Sequence, residues 1–80
     1  MDYVSDILSG IGWNFFIIGN YDKSLEYFNR QLKLNGSKNE MNMSNIYSNL
    51  GLSYFYNKNY TKALEYFDNY YKIELNNQEN

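Results

Sequence analysis

The chain has no cysteine, no histidine and no proline among its 80 residues. Without cysteine there are no disulfides and no thiol nucleophile, and without histidine there is no imidazole base. Together the two absences remove nearly every transition-metal site. The lack of proline leaves long helices unhindered. Positive charge is scarce as well: 7 Lys and Arg stand against 9 Asp and Glu, for a net charge of −2. Such a balance offers no basic patch to a phosphate backbone. The longest apolar run, FFII at residues 15 to 18, is far too short to span a bilayer. The acidic opening MDYVSDILSG does not read as a signal peptide. These exclusions point to a soluble, cytoplasmic protein with no metal, no cofactor, no nucleic-acid partner and no membrane partner.

What is present is aromatic. A fifth of the residues are Phe, Trp or Tyr, and 10 of them are tyrosine, which a disordered chain would lack. A chain this short buries only a modest core, so its stability is marginal without partners.

The segment NYDKSLEYFN at residues 20–29 returns as NYTKALEYFD at residues 59–68, a spacing of 39. A long internal repeat of this kind signals a stacked architecture. Around it the apolar residues recur every three or four positions, as one face of a helix requires. Val4, Leu8, Ile11, Phe15 and Ile18 form the first stripe, and Tyr21, Leu25, Phe28 and Leu32 the second. Met43, Ile46, Tyr47, Leu50 and Tyr54 form the third, and Tyr60, Ala63, Leu64, Phe67, Tyr70 and Tyr71 the fourth. Asn20 and Asn59 are placed to cap the second and fourth helices. Asn35-Gly36 is a left-handed stop, and Ser37 with Glu40 fits a capping box. Glu26–Arg30 and Asp68–Lys72 supply surface pairs at i,i+4. The expectation is all-α: four helices near residues 3–18, 21–34, 39–56 and 60–75, paired as two antiparallel hairpins, with the chain fraying after residue 75.

The stretch YSNLGLSYFYNKNYTKALEYF, residues 47–67, resembles a tetratricopeptide repeat. Tyr47, Leu50, Gly51, Tyr54, Tyr60, Ala63 and Phe67 match the family's pattern in type and spacing, with Tyr for the commoner Trp at the first. A looser copy is legible in Leu8, Ile11, Gly12, Phe15, Gly19, Tyr21, Ser24 and Phe28. The resemblance implies an α-solenoid of two repeats of the longer, roughly 40-residue kind. The first covers residues 1–36, and the second covers residues 37–80 with a polar C-terminal tail. Gly12 and Gly51 then mark close helix approach within each hairpin, and a side chain at Gly51 is expected to push its hairpin apart.

In this family the first helix of each repeat lines a concave groove for partner segments. By register, the resemblance places Asp6, Ser9, Gly10, Trp13, Phe16 and Ile17 there, with Asn45, Ser48, Asn49, Leu52, Phe55 and Tyr56 from the second copy. Trp13, Phe16, Ile17, Leu52, Phe55 and Tyr56 would form an apolar patch of the sort that marks contact sites. Asn45 and Asn49 would hydrogen-bond a ligand backbone. A subgroup that clamps chaperone C-termini needs Lys and Asn where Ser9 and Trp13 stand, and only Asn49 fits it. Asp22 and Glu26 lie one turn apart, but no other polar group converges on them, so they read as a solvated face and an enzyme is not expected. Two functions remain. One is a protein-interaction module that binds an apolar peptide or helix of a partner in the groove. The other is a structural unit that self-associates through uncapped repeat edges, where Tyr70 and Tyr71 lie.

Overall fold

The computed structural model describes residues 3–35 and 40–78. Four helices follow in order: α1 (Tyr3–Ile17), α2 (Tyr21–Asn35), α3 (Glu40–Tyr56) and α4 (Tyr60–Gln78). The described residues contain no strand. α1 packs on α2 and α3 on α4, while α2 also packs on α3. The architecture is therefore the expected pair of stacked hairpins. The Gly36 stop, the Ser37 cap and the division at 36/37 lie outside the described residues. The fourth helix does not fray after residue 75, for it continues through Gln78.

The turns inside the two hairpins are built alike. Beyond α1, Gly19 adopts φ +84°, the Gly19 amide donates to Phe16 O at 3.0 Å, and the Asn20 amide donates to Phe15 O at 2.8 Å. Beyond α3, Lys58 takes φ 65°, with its amide on Phe55 O at 3.0 Å and that of Asn59 on Tyr54 O at 2.9 Å. Both turns use the paired 5→2 and 6→1 bonds that finish a helix through a left-handed residue. The caps then form as expected: the Lys23 amide donates to Asn20 Oδ1 at 3.2 Å, and the Lys62 amide to Asn59 Oδ1 at 3.3 Å.

The core sits between the hairpins. Leu25 and Phe28 of α2 and Ile46 and Leu50 of α3 form one buried cluster, with Trp13, Leu32, Tyr54 and Tyr66 packed against it. A Cβ added at Gly12 would lie 2.6 Å from Phe28 Cε1, and one at Gly51 would lie 2.6 Å from Phe67 Cε1. The glycines thus let each hairpin's second helix lay an aromatic ring against the first. At the crossing of α2 and α3 the small residues Ser24 and Ser53 are fully buried, with their hydroxyls hydrogen-bonded at 3.3 Å. Ser24 Oγ also donates to Tyr21 O at 2.8 Å.

The stripes need correction at the outer helices. Val4 and Ile18 are exposed, as are Tyr60, Leu64 and Tyr71, while Ala63 is buried and Phe67 and Tyr70 are half-buried. Ile18 lies past the end of α1. The physical reason is common to the others: their faces turn away from the α2–α3 interface, and no described helix covers them. The surface pairs form as expected, Arg30 to Glu26 at 2.8 Å and Lys72 to Asp68 at 3.0 Å. Exposed pairs of this kind contribute little stability.

Candidate partner-binding groove

Because α2 packs on both α1 and α3, it forms the floor of a space between those two helices. A hollow of about 290 Å³ opens there, lined by Ser5, Asp6 and Ser9 of α1, Gln31 of α2, and Asn42, Asn45 and Asn49 of α3. Asn42, Asn45 and Asn49 reach it together because steps of three and four keep them on one helical face. Gln31 is buried, and its Nε2 donates to Ser5 Oγ at 3.1 Å. Its Oε1 finds no hydrogen-bond partner among the described residues. Four amides, two hydroxyls and one carboxylate therefore share the hollow. Amide side chains both donate and accept, which is what a peptide backbone requires of a host.

Toward the C-terminal ends of α1 and α3 the groove turns aromatic. The Trp13 ring meets Phe16 edge-on at 5.0 Å and Phe28 at 5.4 Å. Phe16 meets Tyr21 at 5.3 Å and Tyr56 at 5.4 Å, and Tyr21 stacks on Tyr56 at 5.9 Å. This cluster joins α1, α2 and α3, and edge-to-face pairs of this sort contribute about 0.5–1.5 kcal/mol beyond their burial. Beside it, Asn57 Nδ2 donates to Asp22 Oδ1 at 3.0 Å. That bond gives Asp22 a role between the repeats that the sequence did not suggest.

The groove residues expected from the sequence thus fall into separate places. Asn45 and Asn49 share the polar hollow, with Asp6 and Ser9. Trp13, Phe16 and Tyr56 share the ring cluster. Leu52 is half-buried on α3, one turn beyond Asn49. Phe55 links that cluster to α4, its ring meeting Tyr56 at 5.3 Å and Tyr60 at 5.7 Å. Ile17 is 77% exposed. Sequence reasoning missed Ser5, Asn42, Gln31 and Tyr21. Asn42 could have been found from its seven-residue spacing to Asn49, and Gln31 from its position three residues after Phe28.

Away from the groove, Tyr54 and Tyr66 stack at 5.7 Å and 4°, with Tyr47 5.9 Å from Tyr66. Burial raises the Tyr66 hydroxyl pKa above the ordinary tyrosine value, with smaller contributions from Tyr54, Glu65 and Tyr47. Among the described residues no group of three or more acidic side chains is placed to hold a metal ion. None of the described helices is long and apolar enough to cross a membrane.

Two family models, each described as a tetratricopeptide repeat, match the chain, one at residues 5–38 and the other at residues 44–77. The first covers most of α1 with α2, and the second covers most of α3 and nearly all of α4. No curated protein and no solved structure matches it.

Proposed function

Because the chain belongs to the tetratricopeptide repeat family, whose repeats are in general protein-interaction modules and typically not enzymes, we propose that it holds a segment of a partner protein in the groove between α1 and α3. The observation that carries this reading is the amide-lined hollow of about 290 Å³ beside the half-buried Trp13. Asn45 and Asn49 hydrogen-bond the segment's backbone, and an apolar side chain of the segment rests against Trp13 and Leu52. Among the described residues Asp6 is the one charged residue lining the hollow, so a segment with a neutral or basic residue at that end is favoured over an acidic one. A cysteine-free chain suits the reducing cytoplasm, where we place this interaction.

A displayed library of random peptides tests the proposal, with selected peptides titrated by the fluorescence of the single tryptophan. Binding should shift Trp13 emission to the blue. Asn45→Ala with Asn49→Ala should weaken it by about tenfold or more, the equivalent of roughly one or two net hydrogen bonds. Selection of no peptide, or of peptides that bind the double variant unchanged, would refute the reading.

A further inference from the structure

The α2–α3 junction is repeated in outline by two faces that no described helix covers. Within the chain, Leu25 and Phe28 of α2 close on Ile46 and Leu50 of α3. A shift of 39 residues maps the α2 side of this junction onto Tyr60, Ala63, Leu64 and Phe67 of α4. The opposite shift maps the α3 side onto Ile7, Ile11 and Ile17 of α1. Chemical character survives the mapping while burial falls at most positions, Ala63 staying buried and Ile11 and Phe67 half-buried. Leu25 is 8% exposed and Leu64 is 71%; Ile46 is 0% exposed and Ile7 is 58%.

The α4 face carries a ready seat. Phe55, Tyr60, Ala63, Leu64 and Phe67 line an apolar hollow of about 350 Å³. Their counterparts in the first repeat are Phe16, Tyr21, Ser24, Leu25 and Phe28. Within the chain that earlier seat receives α3, whose Tyr56 ring lies against Phe16 and Tyr21. The residue of α1 in register with Tyr56 is Ile17, the most exposed of the large apolar side chains. The polar contact at the crossing changes compatibly: Ser24 and Ser53 give way to Ala63 and Asn14, so a smaller residue faces a larger one.

We propose that copies of this chain stack head to tail, the α1 face of one seated on the α4 face of the next, repeating between molecules the α2–α3 junction within each. The contact is heterologous, so each added copy leaves a free face at both ends and growth does not stop at two. Aromatic side chains bury about 150–250 Å² each when fully covered, and Phe55, Tyr60 and Tyr71 are only about half exposed. The interface therefore lies below the roughly 1,200–2,000 Å² of stable complexes, and assembly depends on concentration.

Sedimentation equilibrium on the 80-residue chain, from micromolar to millimolar, tests this together with Leu64→Glu and Ile7→Glu. Both side chains are exposed, and far-UV circular dichroism checks that each variant stays folded. If either glutamate unfolds the chain, Tyr60→Lys and Ile17→Lys on the same two faces carry the same comparison. The parent mass should climb past the dimer, and each variant alone should remain a monomer. An equimolar mixture should form dimers and stop there, because one sound α4 face meets one sound α1 face. A parent that stays monomeric throughout overturns the proposal. So does assembly that survives in Ile7→Glu alone, which would mean α4 meeting α4, and so does a mixture that stays monomeric. Peptide binding in the α1–α3 groove is read separately and does not depend on the outcome.

Discussion

Gly12 and Gly51 occupy the same place in successive repeats, yet alanine at the two positions should not cost the same. At Gly12 a new Cβ would meet Phe28 at 2.6, 2.9 and 3.1 Å; at Gly51 it would meet Phe67 at 2.6, 2.7 and 3.1 Å. Carbon contacts are comfortable near 3.5–4.0 Å, so either ring must yield by about 1 Å. Phe28 is fully buried in the core cluster under Trp13, and moving it disturbs the packing of both hairpins. Phe67 is half-buried and borders the open hollow on α4, into which its ring can swing. Overpacking typically costs about 1–3 kcal/mol, and exchanging glycine for alanine inside a helix returns up to about 1 kcal/mol. Gly12→Ala should therefore lose about 1–2 kcal/mol and Gly51→Ala at least about 1 kcal/mol less than that. At about 4–8 °C per kcal/mol for a domain of this size, thermal unfolding followed by far-UV circular dichroism resolves the difference. Equal losses, or a larger loss at Gly51, would refute the argument that burial of the struck ring sets the cost.

Lys58 holds a left-handed backbone where the first hairpin has Gly19. Lys58→Gly should stabilise the chain by about 0.5–1 kcal/mol, since the left-handed conformation costs other residues roughly 1–2 kcal/mol and glycine's unfolded-state freedom offsets part of it. Urea melts check this, and an unchanged or lower midpoint counts against it. The raised pKa of Tyr66 means the folded state holds that proton more tightly than the unfolded state. Its contribution to stability is thus complete below pH 10.0, the ordinary value, and is lost as pH rises through the higher folded value. Melts across that alkaline range should fall more steeply for the parent than for Tyr66→Phe, and parallel curves would contradict the burial assigned to this hydroxyl.

Most of the fold was legible in the sequence because repeat spacing, Asn caps and apolar stripes agree with one another. The stripes of α2 and α3 held because both helices are flanked on two sides. In α4, Leu64 repeats the local surroundings of Leu25, and periodicity alone cannot register that α3 lies over one and no described helix over the other. The groove was read less fully. Its polar hollow depends on Gln31, a buried polar side chain whose place on the inward face shows in its spacing from Phe28 and not in its own polarity. Its aromatic half was read as a partner surface, whereas the rings largely meet one another: Phe55 lies edge-on to Tyr56 at 5.3 Å, and Tyr56 meets Phe16 and Tyr21.

Each helix packs on its neighbours in chain order, and this has consequences for how the molecule folds. Contacts between sequence neighbours carry a low entropic toll, so folding should be fast, as in other helical chains of low contact order. Each hairpin can form first, and the two are coupled through the α2–α3 junction alone among the main helix pairings. Trp13 reports on the first hairpin through Phe28, and the Tyr54–Tyr66 stack reports on the second. In repeat arrays, stability divides into intrinsic and nearest-neighbour terms. Here one junction separates a cooperative transition from two, and any gap between the tryptophan and tyrosine melting curves measures its strength.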